Sequence, residues 1–337
     1  MAVNVGDAIT AAQYNGLQSR IEQVLGNGSG NFGYGQAVTS SQVANPSSPG
    51  AGDGDSVTAQ QMIDLRIDMN KAWTHQTGQN IPVKNIAQGD VIGADQTGDD
   101  LIFATDGSYT FDNPDITGGF NDYLSKMDEL ELNRFDIDDG EDDISDIATS
   151  TRTSSWNGNI NCTFTCTFTD ADHRRHFFNS GGQIRISTTG SNGSGSKDSD
   201  WITMITNPGQ IQFGYNYTTL SGSTSGVTLT SDGNYDLSGT GFTEIMVKEG
   251  QAAVYSENRY RVEVRQPDGD NGARLQFRVQ LEDNDTGDRP NPSPPSPFGP
   301  LEDEDVTADI TVTIGTRRAF GSNVQVANPS IAVTDQL

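Results

Sequence analysis

The sequence predicts an α+β fold, with N-terminal helical repeats followed by a mainly antiparallel, β-sandwich-like region. Three observations carry this reading. A segment with the grammar of a helix start occurs twice near the beginning of the chain, 48 residues apart. From Trp156 onward the apolar period shortens to two. Short alternating segments then recur between turns rich in Gly, Asn and Asp, the pattern of packed antiparallel sheets.

The repeat is Gly6-Asp7-Ala8-Ile9-Thr10-Ala11-Ala12-Gln13 against Gly54-Asp55-Ser56-Val57-Thr58-Ala59-Gln60-Gln61. Thr10 and Thr58 stand as N-caps, and Gln13 and Gln61 follow three residues later. That is capping-box spacing, in which each side chain satisfies a backbone N–H near the other. Ile9 and Val57 precede the caps, with Tyr14 and Met62 placed as their hydrophobic-staple partners. Behind the first cap, Tyr14, Leu17, Ile21 and Val24 form a narrow apolar stripe. Behind the second run Met62, Leu65, Met69 and Ala72–Trp73, broadened by Ile63 and Ile67. The helices are expected to end near Gly26 and Gly78.

Two readings of the stripes stand side by side. In one, the helices form a hairpin packed on its own chain. In the other, Tyr14, Leu17, Ile21, Met62, Leu65, Met69 and Trp73 form an assembly interface between subunits.

A Gly/Ser/Pro-rich stretch separates the two helices. Val83–Asn113 reads as short strands and turns. A third helix is expected from Phe120 to about Arg134, carrying Tyr123, Leu124, Met127 and Leu130. The acidic run Asp136–Asp143 reads as a solvated boundary. Beyond it, Ile160, Cys162, Phe164, Cys166 and Phe168 alternate with Asn161, Thr163, Thr165 and Thr167, a half-buried strand. Short helices fit Asp170–Asn179 and Asp198–Thr206. Strands fit Gln183–Ser187, Gln210–Tyr217, Phe242–Lys248, Tyr260–Val264 and Leu275–Leu281, the last two joined by the turn at 266–272. After a Pro-rich linker, one more strand carries Val306, Ala308, Ile310, Val312 and Ile314. The expected division is 1–82, a helical repeat region for assembly and anchoring; 83–150, a mixed connector; 151–288, a β-rich domain; 289–300, the linker; and 301–337, a C-terminal strand segment.

Charge narrows the function. Lys and Arg number 20 against 46 Asp and Glu, a net charge of −26. Phosphate recognition needs clustered basic residues, so nucleic acid is an unsuitable partner, and so is an anionic membrane surface. Apolar runs reach about four residues where a membrane span needs about 20, so membrane insertion is not expected. Arg20 is the first basic residue, and no charged region opens a secretory signal. The apolar share, 33%, is thin for the length. Thin cores suit elongated or oligomeric proteins, which gain stability from association.

No chemical motif stands out. Cys162 and Cys166 are four apart on one strand, about 13 Å at strand rise, too far for a disulfide. They read as small buried hydrophobes. His173 and His176 have helical ligand spacing but no third ligand. The carboxylates of Asp136–Asp146 and of the Asp268-Gly269-Asp270 turn lack the full calcium-loop pattern. The glycines form no phosphate cradle, and no Ser, His and Asp set has motif context. Neither enzyme activity nor a cofactor or metal is expected.

Two stretches carry a resemblance. One is Gly6–Leu17 with the following Gly30-Asn31-Phe32-Gly33-Tyr34-Gly35-Gln36. The other is His176-Phe177-Phe178-Asn179-Ser180-Gly181-Gly182-Gln183-Ile184-Arg185, continuing to Asp200-Trp201 and Gln212-Phe213-Gly214-Tyr215. Together they resemble virion structural proteins of marine tailed bacteriophages, cyanophages included, of the tail, neck or fibre type. The resemblance covers most of residues 1–220 and brings no catalytic residues. It implies a homo-oligomeric virion component, assembled in the host cytoplasm, with a trimer favoured by analogy. Its implied partners are its own copies, other virion proteins and a host surface glycan. The alternatives are a capsid decoration protein, a carbohydrate-binding adhesin module stacking sugars on Trp156, Trp201, Tyr215 and Tyr217, and a polysaccharide-cleaving appendage using paired carboxylates.

Overall fold

The computed structural model describes residues 9–26, 33–43, 57–77, 79–83, 85–87, 102–103, 109–110, 119–134, 140–251, 255–269, 272–285, 304–322 and 324–337. These form a mixed α+β fold with five helices and two large antiparallel sheets. The chain divides into two compact units. The first comprises Met1–Glu141, Asn179–Gly181 and Ala319–Val326; the second comprises Asp142–Phe178, Gly182–Arg318 and Ala327–Leu337.

The first unit is built on three helices, α1 (Ala11–Leu25), α2 (Ala59–Thr77) and α3 (Phe120–Leu132). Both capping boxes form. Gln13 N donates to Thr10 Oγ1 while Thr10 N donates to Gln13 Oε1. Thr58 and Gln61 repeat the exchange. α1 ends at Gly26, whose N–H donates to Glu22 O. The stripes of α1 and α2 face one another and α3. Tyr14 Oη donates to Gln61 O at 3.2 Å, and Gln76 Nε2 of α2 donates to Leu130 O of α3 at 2.9 Å. Arg20 of α1 reaches Glu131 of α3 at 2.7 Å. Asp68 turns from α2 to accept the N–H groups of Thr39 and Ser40, tying in the segment after α1. A two-residue pair, β1 (Ile102–Phe103) with β2 (Tyr109–Thr110), falls in the region expected to hold short strands; most of Val83–Asn113 lies outside the described residues.

Most of the residues expected at a subunit interface are covered within one chain. Tyr14, Leu17, Ile21, Leu65 and Met69 are 0% exposed and Met62 is 1% exposed within one chain. Trp73 is half-buried, with Lys126 Nζ over its ring at 5.0 Å. The third helix supplies the surface that two narrow stripes lack. Tyr123, Met127 and Leu130 are themselves 0% exposed, while Ile63 and Trp73 at the margin of the α2 stripe stay half-buried and Ile67 is 39% exposed.

The second unit holds the sheets. Its strands are β3 (Glu141–Arg152), β4 (Asn159–Thr167), β5 (Gln183–Ser191), β6 (Gln210–Phe213), β7 (Thr218–Leu220), β8 (Val227–Leu229), β9 (Thr243–Glu249), β10 (Arg259–Arg265), β11 (Arg274–Glu282), β12 (Asp309–Ala319) and β13 (Ser330–Asp335). One sheet runs β13-β4-β11-β10-β9-β8 and the other β3-β12-β5-β6-β7. Helices α4 (Ala171–Asn179) and α5 (Ser196–Thr206) flank β5 in sequence. Period-two alternation buries Leu275, Phe277, Val279 and Leu281 on one sheet and Ile310, Val312 and Ile314 on the other. Phe213 and Phe277 meet edge to face at 5.3 Å, and Thr188 Oγ1 bonds Tyr260 Oη at 2.9 Å. A Cβ at Gly315 of β12 would lie 2.2 Å from Ile144 O of β3, so only glycine fits that approach.

Two expectations change here. The acidic stretch from Glu141 is an edge strand rather than a solvated loop: Asp142 pairs with Arg318 and Asp143 with Arg185. Asp136–Asp139 lies outside the described residues. The C-terminal segment is not a separate piece either. β12 sits between β3 and β5, and β13 pairs with β4.

Candidate functional site

The most unusual chemistry in the described residues is a buried charge centre in the second unit, at the start of α5. Gly195 caps the helix, and Asp198 at its third position accepts the N–H groups of Ser194 and Gly195, both at 3.1 Å. The same carboxylate accepts from Thr307 N at 2.7 Å, Ala308 N at 2.9 Å and Thr307 Oγ1 at 2.6 Å. Burial pushes its acid strength down, but these hydrogen bonds outweigh that and hold its pKa below the usual carboxylate value.

Lys197 precedes Asp198 and is 1% exposed. Its Nζ lies 2.8 Å from Asp283 Oδ2 and 2.9 Å from Asp285 Oδ1, and donates to Glu304 O at 2.7 Å. The two aspartates follow β11 directly, where its alternation ends. Their side chains are 0% and 3% exposed. Asn258, fully buried in the turn before β10, fixes them: its Oδ1 accepts Asn284 N at 2.7 Å and Asp285 N at 3.0 Å. Gly158 O accepts Asp283 N. Four segments thus converge, at residues 195–198, 255–258, 283–285 and 304–308.

One ammonium facing two carboxylates leaves a surplus negative charge. Burial, then the neighbouring Asp285, pushes Asp283 up to about 7. Asp285 is also pushed up by burial, but hydrogen bonds from Asp283, Lys197 and Asn258 prevail and hold it low. The pair is an acid beside a base, both touching one amine. Buried Tyr255 adjoins them, its phenol raised by burial and then by the charges of Glu304 and Asp285. Trp201, one turn along α5 from Lys197, is 0% exposed and meets Trp156 edge to face at 5.0 Å.

The other sequence candidates have local roles. His173 Nε2 bonds Ala327 O at 2.7 Å, and its Nδ1 accepts Thr169 N. Burial lowers the pKa of His176. Among the described residues no group of three or more His, Cys, Asp or Glu is placed to hold a metal ion, and no helix is long and apolar enough to cross a membrane. Cys162 and Cys166 are free and buried.

The four aromatics of the sugar-stacking alternative are mostly core residues. Trp156, Trp201 and Tyr215 are buried, and Tyr217 is half-buried with its hydroxyl accepting Gln183 Nε2. An exposed ring, Tyr235, stacks on Tyr215 at 5.2 Å.

The charge centre escapes sequence reading because its members come from segments far apart in the chain, Lys197 lying 107 residues from Glu304. Its one local signal is the pair Asp283 and Asp285 interrupting the end of a strand. Compared with protein-family models, curated proteins and solved structures, the chain matches none.

Proposed function

We propose that this chain is a non-enzymatic structural component of a tailed-phage virion, a tail, neck or fibre-type appendage acting in assembly and host attachment. On this reading the two sheets form a β-sandwich and the protein works as a homo-oligomer, with a trimer favoured. The resemblance at Gly6–Leu17 and His176–Arg185 supports it. The observation that carries it is the use of buried charge. Asp68, Lys197, Asp198 and Lys248 each bond the chain's own backbone across long sequence distances. Such groups fix segments in place, as a component that must hold its shape requires. Association runs through surfaces other than the buried face of the helical stripes.

The test is mass spectrometry of particles purified through a density gradient from cells producing the phage that encodes the chain. Its peptides are expected in the particle fraction at a fixed ratio to other virion proteins. Finding them only in the unassembled lysate would overturn the reading. A glycan-binding module is the second reading, favoured by Tyr235, 55% exposed over the buried ring of Tyr215. Saturation transfer between host surface glycan and protein, lost in Tyr235→Ala, would support it; no transfer in the intact chain would remove it.

A further inference from the structure

We propose that Lys197 and Asp283 condense with each other, forming an intramolecular isopeptide bond that staples the first turn of α5 to the end of β11.

The first argument is proximity. Nζ is 2.8 Å from Asp283 Oδ2, so the carboxyl carbon is one bond further on. The contact is a close charge contact between two buried groups, with Asp285 and Glu304 O on the same ammonium. Both partners are held rigidly, Lys197 by its helix and by Glu304 O, and Asp283 by Gly158 O and the Asn258 brace on the residues after it. Fixing two reactants within about 3–3.5 Å replaces a bimolecular encounter and lowers the barrier accordingly.

The second argument is the proton inventory. Condensation needs a neutral amine, a carboxylic acid and a base. Asp283, pushed up to about 7, supplies the acid, and Asp285, held ionised 2.9 Å from Nζ, supplies the base. The Lys197 ammonium gives a proton to Asp285. The Nζ lone pair then attacks Cγ of Asp283, forming the C–N bond. A second proton moves from nitrogen to a carboxyl oxygen, and the C–O bond breaks to release one water. Lys197 ends as a secondary amide, Asp283 as its acyl partner and Asp285 as a neutral acid. Charge is zero before and after, and nothing is oxidised or reduced.

The third argument is the driving force. In bulk water the separated ions are well solvated and the amide is disfavoured. Here all three side chains are nearly sealed from water. Desolvation raises the energy of the ions, and the released water leaves for solvent. The product is uncharged, and its single amide N–H keeps Glu304 O as acceptor.

The experiment is intact-mass spectrometry of the full chain, denatured, with and without the Lys197→Arg substitution. The wild-type mass is expected to fall short of the sequence mass by one water, and the variant, which keeps the positive charge, to show the full mass. Tryptic mapping is expected to find no cleavage after Lys197 and a branched peptide joining it to the segment containing Asp283. A dehydrated Asp-Gly imide gives the same mass but leaves cleavage after Lys197 intact. That result overturns the proposal, as does a wild-type chain at full mass. Asp285→Asn is expected to lower the linked fraction in freshly made protein at least tenfold; an unchanged fraction removes Asp285 as the proton acceptor.

Discussion

Tyr14 Oη donates to the carbonyl of Gln61, so the residue directly after the first capping box binds a residue inside the second. The two copies of the sequence repeat are therefore joined to each other within one chain. Removing that hydroxyl by Tyr14→Phe leaves the ring in its place. The loss is about 1 kcal/mol, one buried neutral hydrogen bond, read as a lower urea midpoint with unchanged slope. The effect has a pH window. Burial, then the nearby Asp64 and Asp68, pushes the Tyr14 phenol from 10.0 to about 12. A raised folded-state pKa means the stabilisation is complete below pH 10 and is lost as pH rises through 12. Wild type is expected to lose its advantage over Tyr14→Phe and fall below it across that interval, and parallel curves would contradict the assignment.

Leu65→Ala tests which subunit the helical stripe belongs to. Leu65 is 0% exposed among α1, α2 and α3, so the truncation is expected to cost about 2–5 kcal/mol of unfolding free energy. Because Leu65 is already covered within one chain, light scattering is expected to give the same molar mass for wild type and variant. A variant of normal stability but lower mass would return the stripe to an intersubunit role.

Asp198→Asn removes the charge that receives Thr307 N, Ala308 N and Thr307 Oγ1. An amide presents one oxygen and turns an NH2 group toward donors. The expected cost is about 2–3 kcal/mol at neutral pH, the range for hydrogen bonds to a charged group. Since the folded state depresses the pKa of Asp198 below 3.8, its contribution is present above that value and is lost as pH falls through the depressed one. The gap between wild type and variant is expected to be constant from pH 5 to 8 and to close in acid.

Local grammar was legible, and long-range partnership was not. Thr10, Gln13, Thr58 and Gln61 declare their helix starts because a capping box is closed within four residues. Strands β10 and β11 declare themselves by alternation around an evident turn. The third helix was also visible, but a stripe such as Tyr123, Met127 and Leu130 does not say which other stripe it covers. Strand β3 was hidden because an edge strand can carry charge on its open face; Asp142 is paired by Arg318, 176 residues away. The charge centre was hidden for the same reason. Lys197 reads as an ordinary exposed lysine until Asp283, Asp285 and Glu304 are brought around it.

Cys162 and Cys166 yield the last prediction. They share the inward face of β4, Cys162 opposite Val279 and Cys166 between Leu275 and Ile331. Burial pushes the Cys162 thiol up to about 12, with a hydrogen bond from Ser150 opposing it, and burial raises Cys166 further. Thiol reagents attack the thiolate, so at pH 8 both groups are chemically inert as well as covered. Ellman's reagent is expected to leave the native chain unlabelled and to titrate two thiols together as urea unfolds the second unit. The labelling midpoint should coincide with that of Trp156 and Trp201 fluorescence, because the same unit buries both. Rapid native labelling of either cysteine would mean that β4 opens apart from the rest of its sheet, which its pairing on both sides with β11 and β13 opposes.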